Sequence, residues 1–204
     1  MADTTKLTAL ALVCTLKKSP GESSSELLAT QILAELKRHG VTGSMLRLVD
    51  FHIAPGVTTD EGDGDEWPGI RSQILAADIL VVATPVWIGQ LPSIGMQLLE
   101  RLDAELGEED EKGRPSMYDK VAVVGVVGNE DGAHHVTSQL FQGLDDLGFT
   151  VPAQGATYWN DVAMGSRDYK DLPETPETVA AATRALAANA AHLAQLLKAK
   201  PYPA

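Results

Sequence analysis

Three segments, each following a predicted buried strand, carry residue types suited to binding a phosphate and a flat ring. They are residues 15–25, 85–89 and 128–132. The first is rich in hydroxyls and opens a helix, the second contains Trp87, and the third combines Gly, Asn and Asp. In an open parallel sheet, ligands bind beyond the carboxyl ends of the strands. We therefore expect one site, built as a phosphate cradle with two walls for a planar ring.

The first segment, here called the phosphate loop (residues 15–25), is predicted to hold an anion. The first turn of a helix has N–H groups without partners and the positive end of the helix dipole, and Ser and Thr hydroxyls add further donors. The alternative is that Ser23, Ser24 and Ser25 only cap the helix. Neither G-x-x-x-x-G-K-[ST] nor G-x-G-x-x-G occurs in the chain, so the usual triphosphate and dinucleotide motifs are not indicated.

The other two segments are the tryptophan loop (residues 84–93) and the glycine loop (residues 128–133). Trp87 would pack on a planar ligand, although an aromatic residue beside a strand is more often buried in a core or an interface. Glycines in the glycine loop allow the backbone to approach a ligand closely. The alternative for this loop is an ordinary helix start capped by Asn129 or Asp131.

The elements that must position these loops alternate between short apolar runs and helical patterns, which predicts an α/β sheet with right-handed crossovers. The predicted strands are 7–14, 45–50, 79–83, 121–127 and a last edge strand from 149–152 with 155–158; the predicted helices are 25–39, 69–77, 91–106, 134–147 and 176–198. A five-stranded parallel sheet of order 2-1-3-4-5, with helices on both faces, brings the ends of strands 1, 3 and 4 together. We expect one domain, residues 1–204.

Composition narrows the function classes. A formal charge of −12 argues against a nucleic-acid partner, because binding to that polyanion requires a basic surface. No apolar stretch approaches the length of a membrane span and residues 1–6 are polar, so we expect a cytoplasmic protein without a membrane partner. The single cysteine, Cys14, ends an apolar run and is predicted to be a small buried hydrophobe. No metal site is indicated.

The segments Thr84-Pro85-Val86-Trp87-Ile88-Gly89 and Gly128-Asn129-Glu130-Asp131-Gly132, together with the phosphate loop, resemble those of the flavodoxin-like NAD(P)H-dependent FMN reductase family. That family includes NAD(P)H:quinone oxidoreductases. The resemblance covers residues 7–147. It implies a flavodoxin-like three-layer sandwich, bound FMN, NAD(P)H as co-substrate, a quinone or similar small-molecule electron acceptor, and a homodimer or dimer of dimers.

By position, the resemblance assigns a set of cofactor-binding residues. The phosphate would be held by Thr15, Lys17, Ser23, Ser24 and Ser25, and the isoalloxazine ring by Pro85, Val86, Trp87 and Ile88 on one side and by Gly128, Asn129, Asp131 and Gly132 on the other. The chain departs from the family where members often have Gly-Ser-x-Arg, because it has Cys14-Thr15-Leu16-Lys17. A lysine there is a point charge, whereas an arginine is a bidentate fork.

Two functional hypotheses follow. Reduction of a flavin by a nicotinamide requires one open ring face, and the glycine loop supplies no aromatic side chain to cover it, which favours a reductase. The alternative is a flavodoxin-like FMN electron carrier without its own NAD(P)H oxidation; a cofactor-free regulatory protein is a third class. Tyr158 and Trp159 either cover the flavin or pack at the sheet edge. His134 and His135 are expected to be exposed, the alternative being contact with phosphate or acceptor. Residues 164–171 are expected to form a solvent-facing loop, the alternative being that they reach a neighbouring subunit's site. No catalytic side chain is assigned.

Overall fold

The fold is a single parallel sheet between two layers of helices, seen in a computed structural model that describes residues 6–203. The polar N-terminal segment therefore lies, apart from Lys6, outside the described residues. The strands are β1 (Leu7–Val13), β2 (Val41–Arg47), β3 (Ile79–Pro85), β4 (Val121–Gly128) and β5 (Ala156–Asn160). The helices are α1 (Ser24–Arg38), α2 (Trp67–Ala76), α3 (Ser93–Leu102), α4 (Ala133–Asp146) and α5 (Glu177–Ala199), with 3-10 turns at Leu48–Asp50, Asp103–Gly107 and Tyr169–Asp171.

The strand order is β2-β1-β3-β4-β5 and every pairing is parallel, which confirms the predicted flavodoxin-like topology. The central strands are buried on both faces, as their continuous apolar sequences predict. Helices α1 and α5 cover one face, whereas α2, α3 and α4 cover the other. This arrangement places the carboxyl ends of β1, β3 and β4 side by side, where the three predicted loops leave the sheet.

Two residues in the core, Gly125 and Cys14, matter for the site. A Cβ on Gly125 would lie 2.9 Å from the Ile32 Cδ1 atom, so this glycine lets α1 pack closely on β4. Cys14 is completely buried, and burial raises the pKa of its thiol to about 12. The cysteine is therefore a protonated core residue and not a nucleophile.

Two predicted strands were misplaced. β2 begins at Val41 rather than residue 45, because this edge strand has exposed polar positions at Thr42, Gly43 and Ser44 and so lacks an apolar run. Residues 149–152 form no strand: Phe149 is buried in the core, and Thr150 makes only a single bridge to Val121. The last strand consists of β5 alone.

Helix boundaries differ by smaller amounts. α3 ends at Leu102, where a 3-10 turn replaces the last predicted turn of helix. α2 begins at Trp67, two residues before the predicted start at residue 69. Of the helices in residues 6–203, none combines the length and the apolar character that crossing a membrane requires.

Candidate functional site

A cleft of about 560 Å³, counted out to its solvent-filled mouth, lies at the carboxyl edge of the sheet where the three loops meet. Most of the residues assigned by the resemblance line it: Thr15, Lys17, Ser23, Ser24, Ser25, Pro85, Val86, Trp87, Gly128 and Asn129. Ile88, Asp131 and Gly132 are outside its lining. Four residues outside that assignment complete the lining: Leu16, Val127, Asp168 and Tyr169.

The phosphate loop ends in a helix start whose donors face the cleft. Ser23 is the N-cap of α1, and its hydroxyl accepts a hydrogen bond from the Glu26 amide at 3.3 Å. Ser24 and Ser25 are the first two helical residues, so their backbone N–H groups have no partner within the helix. The buried Ser25 side chain lines the cleft, and its hydroxyl has no hydrogen-bond partner within residues 6–203. Capping therefore accounts for Ser23 but leaves Ser24 and Ser25 available to an anion.

A buried arginine behind the phosphate loop holds it in shape. The Arg47 guanidinium donates to the carbonyl oxygens of Lys17 at 3.0 Å and Gly21 at 2.8 Å, and it pairs with the Glu26 carboxylate in the first turn of α1. Arg47 is the last residue of β2 and lies opposite Val13 of β1, beside the start of the loop. It was not among the residues predicted from the sequence. The available signal was a charged residue at the carboxyl end of a strand that neighbours β1.

The tip of the phosphate loop is fixed by a second contact. The Asp50 carboxylate accepts hydrogen bonds from the Ser19 backbone amide at 2.8 Å and from the Ser19 hydroxyl. These bonds, the hydroxyl bond first among them, lower the pKa of Asp50 below its usual range. Lys17, which lines the cleft, and Lys18 are both exposed, and the Thr15 hydroxyl accepts a hydrogen bond from the Lys17 backbone amide at 3.3 Å.

The tryptophan loop folds as a tight turn. The backbone N–H groups of Trp87 and Gln90 each donate to the other residue's carbonyl, at 3.1 and 3.0 Å. Between them, Ile88 and Gly89 have φ values of 54° and 67°, the left-handed conformation of a type I′ turn. Ile88 is an unusual residue there because its β-branched side chain disfavours positive φ. The turn must therefore be held by its surroundings.

The glycine loop supplies that support. The Glu130 carboxylate accepts hydrogen bonds from the amides of Ile88 at 2.9 Å and Gly89 at 3.2 Å. A Cβ on Gly132 would lie 2.7 Å from the Gly89 Cα atom, so only a glycine allows this contact. The two loops thus lock each other, and Glu130 is a further residue that was not predicted from the sequence.

This packing explains where the assigned ring-binding residues lie. Trp87 is 48% exposed and lines the cleft, so the alternative of a core position is wrong. Ile88 is 88% exposed on the outer side of the turn.

The start of α4 answers the alternative proposed for the glycine loop. The Asp131 carboxylate accepts a hydrogen bond from the Gly132 amide at 2.7 Å, and no side chain caps α4. Neither Asn129 nor Asp131 is therefore the helix cap.

The segment after β5 corrects another expectation. Residues 164–171 were expected to face solvent, but Tyr169 is only 2% exposed and lines the cleft of its own chain. Its hydroxyl donates to Gln31 at 2.7 Å, its ring centroid lies 5.6 Å from that of Trp159, and burial raises the pKa of its phenol. Trp159 is consequently a packing residue behind the site.

Three side chains beside the glycine loop are placed away from the cleft lining. Tyr158 is exposed and meets the His134 ring edge-on, with centroids 4.9 Å apart. His135 is also exposed, and its Nε2 atom lies 3.0 Å from the Gln90 side-chain oxygen. The exposed histidine pair agrees with the prediction, and the contact with Gln90 adds to the support of the tryptophan loop.

Comparison with known proteins identifies the family of this chain. The model of the family described as NADPH-dependent FMN reductase matches residues 7–163. A crystal structure of RosB with the bound intermediate 8-demethyl-8-formylriboflavin-5′-phosphate superposes with a TM-score of 0.89 at 32% identity, covering 96% of this chain and 82% of RosB.

Two protein relatives match in sequence. An 8-demethyl-8-aminoriboflavin-5′-phosphate synthase from Streptomyces davaonensis is 33% identical over 162 residues, which cover 75% of this chain and 63% of the relative. A divalent metal cation transporter, MntH, from Mycobacterium bovis is 34% identical over 169 residues, 81% of this chain but 25% of the relative. The chain thus spans less than two thirds of either relative.

Proposed function

Because the chain belongs to the NADPH-dependent FMN reductase family, we propose that it is an FMN-dependent oxidoreductase that passes electrons from NADPH or NADH to a quinone or similar small acceptor. The observation that supports this most strongly is one cleft that joins a hydroxyl-lined helix N-terminus to an exposed Trp87. A flavin phosphate needs both an anion site and a planar apolar wall.

The donor set of this cleft fits FMN. The unpartnered amides of Ser24 and Ser25, the Ser25 hydroxyl and the positive end of α1 suit a phosphate dianion. Pro85, Val86 and Trp87 then form an apolar wall at the neighbouring strand end. FMN, when bound, supplies the redox chemistry between nicotinamide and acceptor.

The protein's own part in the reaction is binding, orientation and access. The phosphate loop anchors one end of the ligand, and the locked turn of residues 87–90 fixes the position of Trp87 at the other. The glycine loop contains no aromatic residue to cover the ring, which favours access for a nicotinamide or an acceptor. Neither proton transfer nor covalent catalysis by a side chain is required in this scheme.

The test is an anaerobic titration. The purified protein is loaded with FMN, freed of excess flavin, and mixed with NADPH and then NADH while the visible flavin absorption is followed. Rapid bleaching supports the reductase and identifies its preferred donor. Retained colour without bleaching would instead support the electron carrier, and failure to retain FMN would contradict the proposed cofactor.

A second candidate comes from the RosB likeness, because the ligand in that structure is a riboflavin-5′-phosphate derivative altered at ring position 8. In this alternative the flavin phosphate is the substrate and the same cleft holds it for chemical change. Mass spectrometry of the flavin recovered after turnover separates the two. An unchanged FMN mass supports the reductase, whereas a new flavin mass supports modification.

The oligomeric state is proposed from the family resemblance. Ile88, Val162 and Met164 are strongly exposed apolar residues, and Ile88 lies at the tip of the tryptophan loop. We propose that they are covered in a homodimer or a dimer of dimers. Sedimentation at concentrations above and below about 1 µM, taken as an order-of-magnitude working range, would contradict this if only a monomer of 21.7 kDa is found.

A further inference from the structure

The cleft contains a carboxylate that a phosphate site does not need. Asp168 lines the cleft together with Ser24, Ser25 and Asn129. Among residues 6–203, no cationic side chain forms an ion pair with it, and its Oδ2 atom accepts no hydrogen bond. Placing an unpaired negative charge beside an anion site weakens phosphate binding. The Asp168 carboxylate is therefore suited not to the phosphate but to the part of the ligand that joins the phosphate to the ring.

The position of Asp168 is set by the segment that carries it, here called the strap (residues 161–171). At its start, the Asp161 amide donates to the Gly128 carbonyl at 3.1 Å. The Arg167 amide and guanidinium both donate to the Asp161 carboxylate, at 3.0 and 2.8 Å, which closes the strap into a compact loop. This pairing lowers the pKa of Asp161 to about 2.

The other end of the strap is attached to α1. The Lys170 amide donates to the Ser24 hydroxyl oxygen at 3.2 Å, and the buried Tyr169 hydroxyl donates to Gln31 at 2.7 Å. Asp168 therefore lies between two fixed points, one on the glycine-loop side and one at the phosphate cradle. Its Oδ1 atom accepts a hydrogen bond from the Asn129 side-chain Nδ2 atom at 3.3 Å, which orients the carboxylate within the cleft.

The two cationic side chains of the strap itself are already engaged. The Lys170 ammonium pairs with Asp171 at 2.7 Å and with Glu22 at 3.5 Å, and Arg167 pairs with Asp161. The free acceptor capacity of Asp168 is thus available to a ligand. A carboxylate accepts hydrogen bonds from hydroxyl groups, and such charge-assisted bonds are stronger than neutral ones.

We propose that Asp168 is a specificity-determining residue that accepts hydrogen bonds from the hydroxyl chain joining the flavin ring to its phosphate. This inference rests on the proposed function, since it concerns the same flavin site. It assigns the strap a role in ligand choice: the site selects a polyol between ring and anion, and it disfavours ligands that bring a second anionic group to that position.

Three flavins separate the contributions. Lumiflavin has the ring alone, riboflavin adds the hydroxyl chain, and FMN adds the phosphate. Their dissociation constants are measured by quenching of flavin fluorescence with the wild-type protein and with Asp168→Ala. We expect riboflavin binding to weaken about tenfold, as for one hydrogen bond to a charged group. Lumiflavin binding should be unchanged, and FMN binding should weaken less than riboflavin binding because a repulsive charge is also removed.

Two further variants keep the test specific. Asp168→Asn retains the size of the side chain and one acceptor oxygen, so it should weaken riboflavin binding less than Asp168→Ala does. Asp171→Asn removes a charge three residues along the same strap from a side chain outside the cleft lining, and it should leave riboflavin binding unchanged. Circular dichroism establishes that each variant is folded.

The outcomes distinguish this inference from the proposed function. Equal weakening of lumiflavin and riboflavin would overturn the inference, because a merely structural change in the strap affects both. Unchanged riboflavin binding by both Asp168 variants, with wild-type binding of FMN intact, overturns it as well and leaves the proposed function standing. A wild-type protein that binds none of the three flavins overturns the proposed function and this assignment together.

Discussion

The two sides of the cleft are held in place by opposite means. The phosphate loop is braced from behind by Arg47, which uses donors from the protein interior to satisfy loop carbonyls. On the other side, the backbone amides of the tryptophan loop are satisfied by Glu130. The arrangement at the phosphate loop leaves the first N–H groups of α1 without partners. In the tryptophan loop, in contrast, the N–H groups of Ile88 and Gly89 are already bonded to Glu130.

This difference teaches how one sheet edge serves two parts of a ligand. A cationic side chain behind a loop bonds to the carbonyl oxygens of the loop and leaves its N–H groups free, which suits binding of an anion. An anionic side chain in such a supporting role, here Glu130, bonds to the backbone N–H groups of the turn. The surface that remains is an apolar wall in which Trp87 is the prominent group. The charge of each supporting side chain, Arg47 or Glu130, therefore suits the part of the ligand that its loop would bind. Replacing either side chain tests whether that charge affects ligand binding.

Arg47→Met should have the largest effect. Methionine fills a similar volume but leaves the Lys17 and Gly21 carbonyls without donors, so we expect the free energy of unfolding to fall by about 3 kcal/mol. Because the loop loses its two carbonyl anchors, FMN affinity should fall about 100-fold, equivalent to roughly 3 kcal/mol. Chemical denaturation and fluorescence titration measure the two quantities.

Arg71→Met is the matched control for Arg47→Met. Arg71 also pairs with buried Glu105, but neither residue lines the cleft. It should lower stability by a comparable or larger amount and leave FMN affinity unchanged. If both variants weaken FMN binding equally, the brace acts only through global stability and the contrast between the two sides fails.

Ser25→Ala tests the donor side directly. Loss of one hydroxyl donor to a charged group should weaken FMN binding about tenfold. Riboflavin, which lacks the phosphate, should bind as before, because Ser25 belongs to the phosphate cradle. Ser138→Ala, which removes an exposed hydroxyl on α4, is the control. Equal losses for both flavins would place the phosphate elsewhere.

Glu130→Gln tests the opposite side. The amide oxygen of glutamine can accept from one of the two turn amides but without the charge, so we expect FMN affinity to fall about fivefold, near 1 kcal/mol. Hydrogen exchange at the Ile88 and Gly89 amides should accelerate. Glu111→Gln, at an exposed position, should change neither quantity. Unaltered exchange in Glu130→Gln would show that the turn is stable without its anionic brace.

Much of this architecture was predictable from sequence because the central strands are nearly continuous apolar runs. Those runs specify buried parallel strands, and the topology then requires the three loops to meet. β2 was misplaced because an edge strand exposes one side and its polar residues, such as Thr42 and Ser44, resemble a loop. The apolar pattern thus locates the centre of the sheet better than its edges.

The residues that were missed share a different physical cause. Arg47, Glu130 and Asp168 act through contacts with residues 21 to 42 positions away along the chain. A contact between residues so far apart leaves no pattern in the local sequence. Before the fold is known, each of these side chains is an ordinary charged residue. Hydroxyl residues at the start of a helix, in contrast, form a local pattern that predicts a phosphate site.

Asp50→Asn should have the smallest effect and reports on the tip of the phosphate loop. The bonds from Ser19 hold the pKa of Asp50 below its ordinary value of 3.8. Since the folded pKa is lower than the unfolded one, the ionised carboxylate stabilises the protein above pH 3.8, and this contribution is lost as the pH falls through the folded value. The side chain is exposed, so solvent screening keeps the contribution small.

We therefore expect Asp50→Asn to be slightly less stable than the wild type at neutral pH, with about a twofold loss of FMN affinity, within the range of an exposed charged contact. The stability difference should disappear in acid, because a protonated Asp50 also lacks the charge. Unfolding measured from about pH 7 down to about pH 2.5, a range chosen to span the carboxylate titration, follows this convergence. Asp103→Asn, at an exposed position distant from the loop in sequence, controls for the loss of one negative charge. A difference that persists unchanged in acid would mean that the substituted amide disturbs the loop by its shape, and that the tip, unlike the Arg47 brace, does not depend on charge.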